Sequence, residues 1–155
     1  MGLCENKVIP SKEKEVNLDD ERLVRYLERT RLIILGTVLD GNPSVRTMAS
    51  FATEGFTTFF STHKDTGKVR QIELNPQVAV LFQHEKQKLD SFCNITISGI
   101  ACRVEEEGER QRIIELIGAR STCYLERARR GDLVEHLFYR VEPLELKVLD
   151  FRISP

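Results

Sequence analysis

Residues 92–105 restrict the fold more than any other part of the chain. Ile95 and Ile97 alternate with Asn94, Thr96 and Ser98, the alternation shifts at Gly99, and the run continues to Glu105. Period-two alternation marks a strand with one buried face, and a glycine interrupting it marks a bulge. A long strand that bends in its middle is how a small barrel turns a corner. The other apolar runs agree: 32–39, 44–51, 56–61, 78–82, 136–141 and 144–151 read as strands, the last two hinged at Glu142-Pro143. Turn signals separate them, notably Asp40-Gly41-Asn42-Pro43 and Glu54-Gly55. The expectation is a mainly β protein, a small closed or split barrel of about six antiparallel strands with peripheral helices.

With 155 residues the chain reads as one domain over 18–155, preceded by a polar, lysine-rich leader, 1–17, expected to be flexible. From Leu18 a helix is expected, with Leu23, Val24 and Leu27 on one face and Asp19, Asp20 and Glu21 in its first turn. A second is expected over 107–118 on Ile113, Ile114 and Ile117, closed by Gly118 as C-cap. Residues 119–131, with Arg120, Arg127, Arg129 and Arg130, read as a solvated face or a substrate or partner contact. Within 44–51, Val45, Thr47, Ala49 and Phe51 are assigned to the barrel interior, and Ser44, Arg46, Met48 and Ser50 to a surface or interface.

Several function classes are disfavoured. A net charge of −1 argues against general nucleic-acid binding. Cys4, Cys93, Cys102 and Cys123 are too widely spaced for a metal clip, so no metal site is expected and the thiols read as free in a reducing cytoplasm. No apolar run approaches the ~20 residues a membrane helix needs, and a soluble cytoplasmic protein is expected.

The stretch Ser61-Thr62-His63-Lys64-Asp65-Thr66-Gly67-Lys68-Val69-Arg70 ends a strand and opens a helix that stops at Asn75-Pro76, with Asp65 or Thr66 as N-cap. A helix N-terminus carries partial positive charge and normally favours acids. Here Lys64, Lys68 and Arg70 crowd it instead. That inversion is favourable if a phosphate sits among the cations, held by free N–H groups, with Gly67 allowing close backbone approach.

Arg46-Thr47-Met48 on one strand, Phe60-Ser61 at the end of the next, Thr66-Gly67-Lys68 opening the helix and Asn75-Pro76 closing it form an ordered set. It resembles the pyridoxamine 5′-phosphate oxidase-like family of flavin-binding split barrels, over roughly 18–106 and more loosely to the C-terminus. The resemblance implies an antiparallel six-stranded split β-barrel that forms a homodimer with FMN between the subunits. It implies that Arg46, Lys68 and Thr66 hold the phosphate, and that Thr47, Met48, Ala49, Phe60, Ser61 and Thr62 border the ring. Asn94 falls where family enzymes often carry a glutamine reaching from the other subunit. Gly67 replaces the family's usual arginine, for which Lys64 or Arg70 is a substitute. The Arg-x-His pair and tryptophan of true pyridoxamine phosphate oxidases are absent, the chain reading Val134-Glu135-His136-Leu137 with no tryptophan. The expected function is therefore an FMN-dependent oxidoreductase of unassigned substrate, with no evident catalytic acid or base. The alternatives are a deazaflavin-dependent reductase and a non-catalytic flavin or haem carrier, with His63, His84 and His136 as axial candidates.

Overall fold

The computed structural model describes residues 20–152; the expected leader, residues 1–17, lies outside them. The elements run α1 (Glu21–Arg29), β1 (Ile33–Leu39), β2 (Asn42–Met48), β3 (Phe51–Glu54), β4 (Thr57–His63), α2 (Gly67–Leu74), β5 (Gln77–Gln83), β6 (Cys93–Val104), α3 (Glu107–Arg120), α4 (Thr122–Arg129) and β7 (His136–Asp150). All strands pair antiparallel in one sheet of order β2-β1-β5-β6-β7-β4-β3.

The expected six-stranded barrel is corrected to an open, seven-stranded sheet with β2 and β3 at its edges. The expected strand 44–51 breaks at Ala49-Ser50 into β2 and β3, and the two C-terminal runs fuse into β7. Pro143 is tolerated inside β7 because the pairing slips there: Gly99 faces Pro143 while Ser98 faces Glu145, leaving Leu144 as the extra residue. The bulge expected at Gly99 is therefore present, and it bends both long strands.

The sheet curls over one apolar core. Leu35 of β1, Phe51 of β3, Phe60 of β4, Val80 and Phe82 of β5, Ile95 and Ile97 of β6 and Tyr139 of β7 are all buried in it. The rings of Phe51 and Phe82 meet edge to face with centroids 6.2 Å apart, so an edge strand packs across the curl onto the sheet's interior. A second cluster seats α3 and α4 on the opposite face of β4 and β7 through Phe59, Phe138, Ile113, Ile117 and Tyr124.

Three sequence expectations change. The face assignment of β2 is inverted: Met48 is buried and Ser44 and Arg46 are half-buried, while Val45, Thr47 and Ala49 are exposed. Pairing with β1 sets this register, because Arg46 lies opposite Leu35, which points into the core. A one-residue shift in a strand exchanges its faces, and the break at Ala49-Ser50 restores Phe51 to the interior. Gly118 is not a C-cap but an interior residue of α3 where α4 crosses closely; a Cβ there would lie 3.0 Å from Leu125 Cδ1. The arginine-rich segment is largely helix α4, capped by Ser121, whose hydroxyl accepts from the Tyr124 N–H at 3.3 Å.

Among the described residues no helix is long and apolar enough to cross a membrane. Cys93, Cys102 and Cys123 are free thiols.

Candidate functional site

Helix α2 follows β4 after a short turn, and its amphipathic stripe, Val69 and Ile72, is buried against the sheet. Thr66 is the N-cap residue, but its side chain does not cap; its hydroxyl donates to the His63 carbonyl at 3.1 Å. The first turn of α2 holds no acid. The backbone N–H groups of Gly67 and Lys68 have no protein acceptor among the described residues. The helix thus presents free donors and partial positive charge at its start.

Two half-buried cations converge beside this end. Lys68 Nζ donates to the buried Thr62 hydroxyl at 2.9 Å. Arg46 comes from β2, where Nη1 donates to the Thr37 hydroxyl at 2.8 Å and to the Leu35 carbonyl at 3.3 Å, and Nη2 donates to Gln71 Oε1 at 2.6 Å. The Thr37 hydroxyl in turn donates to the same Gln71 oxygen at 2.7 Å. Two acceptor atoms so close together occupy the end of the guanidinium, between Nη1 and Nη2. The side edge, formed by Nε–H and the remaining Nη2 hydrogen, has no acceptor among the described residues. That edge is the fork that grips carboxylates and phosphates with two parallel bonds.

Electrostatics separate this pair from the rest of the surface. Burial pulls the Arg46 guanidinium below its ordinary pKa, and no carboxylate opposes the effect. Burial, followed by the positive charge of Arg46, does the same to Lys68. Most nearby cations have anionic partners: Lys64 pairs with Glu135, and Arg103 lies 3.9 Å from Glu73. A half-buried pair of like charges is costly without a counterion, since desolvation and repulsion act together.

The structure brings together Arg46, Thr62, Thr66, Gly67 and Lys68, and adds Gln71, Thr37 and Ser44, which sequence reasoning missed. Gln71 was detectable in principle, lying one turn after Lys68 on the same helix face. Met48 and Phe60 face the core, Phe60 stacking on Tyr139 with centroids 5.1 Å apart. Thr47 and Ala49 face outward, as does Asn94, which lies between the buried Cys93 and Ile95. Lys64 is held by Glu135 rather than directed at the cradle.

Ser61 points to the other side of β4, into a buried polar cluster under α4. The Tyr124 hydroxyl donates to Ser61 Oγ at 2.8 Å, His136 Nδ1 lies 3.3 Å from the same oxygen, and Arg127 Nη2 lies 3.4 Å from His136 Nε2. Both ring nitrogens of His136 are thus engaged, and because arginine only donates, a hydrogen bond from Arg127 requires a neutral imidazole with Nε2 accepting. Burial, then the charges of Arg127, His63 and Lys68, lower the His136 pKa. Below the unfolded histidine value of about 6.5, unfolding takes up a proton that the native state resists, so stability falls as pH drops through the native pKa. Denaturant melts at pH 7.5 and 5.5 are expected to show this loss in the native sequence and a smaller loss in His136→Gln. His84 is likewise engaged, its ring stacked 3.8 Å from that of Tyr26.

An open antiparallel sheet with an inserted helix, whose start lies beside two cations with no carboxylate partner among the described residues, defines a mainly β protein with a cationic cluster at a strand-to-helix junction. The chain belongs to the pyridoxamine 5′-phosphate oxidase family, which it matches over residues 19–149. No curated protein sequence matches it. Among solved structures it is similar to a conserved hypothetical protein from Mycobacterium tuberculosis, at 19% identity and a TM-score of 0.74, covering 88% of each chain. It is similar to the heme storage protein HutZ from Vibrio cholerae, at 21% identity and a TM-score of 0.69, covering 86% of this chain and 98% of that one. It also resembles a FAD-binding protein from Mesorhizobium loti, at 16% identity and a TM-score of 0.62, covering 82% and 91%. These likenesses concern the fold.

Proposed function

We propose that the chain is an FMN-binding protein that acts as a flavin-dependent oxidoreductase, with the FMN phosphate held by Arg46 and Lys68. The observation that carries this reading is the half-buried cation pair with no carboxylate partner among the described residues. A phosphate monoester, carrying roughly −1.5 to −2 charge near neutral pH, supplies the missing counterion. Arg46 offers its free fork, Lys68 a point charge anchored on Thr62, and Gly67 and Lys68 their backbone N–H groups. Flavin supplies hydride and electron chemistry when bound, and the protein supplies position and field. In this reading the backbone of residues 47–49 and of the end of β4 borders the ring, since the side chains of Met48, Phe60 and Ser61 are turned into the fold. The flavin relative from Mesorhizobium loti is consistent with it.

The outward face of the sheet supports a homodimer. Val45 is 73% exposed and Leu144 74%, beside a groove of about 440 Å³ walled by Val38, Pro43, Val78 and Ile100. A second copy covering this face would bury an apolar patch that a monomer leaves in water. Val45→Glu is expected to convert a dimer to a monomer by light scattering and to lower flavin occupancy.

The absorption spectrum of the purified protein tests the cofactor. A flavin spectrum with FMN released on denaturation supports the proposal. A deazaflavin spectrum would change the ring and keep the phosphate site. A Soret band would move the reading to haem, as with HutZ, although His84 and His136 are already hydrogen-bonded inside the fold.

A further inference from the structure

We infer that Gln71 is a positioning residue of the anion cradle, orienting Arg46 while leaving its charge uncancelled; this rests on the FMN reading above. Among the described residues Gln71 is the α2 side chain hydrogen-bonded to Arg46, with Oε1 accepting from Arg46 Nη2 at 2.6 Å and from Thr37 at 2.7 Å. Its Nε2 donates to Ser44 Oγ at 3.3 Å, on the same strand as Arg46. One carboxamide therefore ties β1, β2 and α2 together around the guanidinium. Its orientation is fixed by chemistry, because Arg46 only donates and must meet the oxygen rather than the amide nitrogen.

The consequence lies in which edge of Arg46 is taken. Gln71 and Thr37 consume the end of the guanidinium, so the two hydrogens left over are parallel and on one side, the arrangement that binds two oxygens of one phosphate. A flexible arginine loses rotamer freedom when it binds an anion; here that freedom is already spent in the folded chain. Lys68 lies three residues before Gln71 on the same helix face, so the amide also fixes Arg46 relative to the second cation.

The neutrality of Gln71 is as important as its reach. Glutamate has the same length and would accept the same bonds, but it would form an ion pair with Arg46 and supply internally the charge that the cradle otherwise takes from its ligand. Glutamine orients without competing. Gln71 is thus a determinant of anion affinity that does not itself touch the anion.

The test compares FMN and riboflavin, which share the ring and differ in the phosphate, on the full chain and on Gln71→Glu and Gln71→Ala. In the native protein FMN is expected to bind at least about a hundredfold tighter than riboflavin, as two charge-assisted contacts imply. Gln71→Glu is expected to remove most of that ratio while leaving riboflavin affinity within about twofold, and to raise the melting temperature of the apo protein through the new ion pair. Gln71→Ala, which loses orientation but adds no charge, is expected to fall between. A Gln71→Glu protein that keeps the native FMN-to-riboflavin ratio overturns the inference. So does one that loses FMN and riboflavin affinity equally, which marks a merely structural role. A native protein with no preference for FMN over riboflavin overturns instead the FMN reading on which the inference rests.

Discussion

Arg46→Ala and Lys68→Ala are each expected to weaken FMN binding by about 10- to 100-fold, and together by more, with riboflavin affinity nearly unchanged. A hydrogen bond to a charged group contributes about 1.5–3 kcal/mol when its partner is desolvated, and each 1.4 kcal/mol is tenfold in Kd. The apo protein should not suffer in proportion. Both side chains are half-buried cations lowered in pKa by burial without a carboxylate to offset it. Lys68→Met, which keeps the stem and removes the charge, is expected to leave the apo melting temperature unchanged or raised. A residue kept for binding and not for stability shows this opposition, and fluorescence titration with a thermal melt reads both sides. Added salt should weaken FMN binding in the native chain more than in either variant, because fewer ionic contacts remain to be screened.

Gly99→Ala is the substitution with the largest expected cost to the fold. A Cβ at this position would overlap the Glu142 carbonyl oxygen, lie 2.9 Å from its carbon and press on Val141 Cγ1 at 3.2 Å. The obstacle is backbone on a paired strand and cannot rotate away. Strands β6 and β7 must separate locally, and overpacking of this kind costs about 1–3 kcal/mol or more. For a chain of this size that is a melting temperature lower by roughly 3–12 °C. The bulge also sets the curl of both long strands, so the variant should lose flavin occupancy alongside stability. Alanine at Gly67, where nothing lies within 4 Å of a Cβ, is the contrasting substitution and should leave the melting temperature nearly unchanged.

The elements themselves were legible where local chemistry and tertiary demand agree. Helix α2 begins and ends where Thr66 and Asn75-Pro76 say it should, and the Gly99 bulge falls at the shift in alternation. The cationic helix start was legible for the same reason: it contradicts the dipole rule, and local rules fail most informatively at sites. What was hidden depends on pairing. Arg46 turns inward because β2 is an edge strand whose register is set by β1, and period-two alternation does not say which face is buried. Helix α4 escaped notice because Tyr124 is its only fully buried residue, too few to draw a stripe. Gln71 carried a correct spacing from Lys68, yet its importance comes from Thr37, Ser44 and Arg46, which only the fold assembles around it. The partners of the Ser61 hydroxyl, Tyr124 and His136, come from α4 and β7 and are likewise assembled only by the fold.

The central claim is that this chain grips the phosphate of FMN through the cations at the start of α2. Calorimetric titration of the flavin-free protein with FMN and with riboflavin, side by side at low salt, tests it most directly. The account predicts FMN binding at least about a hundredfold tighter, with the difference shrinking as salt rises. Equal affinity for the two, or a difference indifferent to salt, would contradict it.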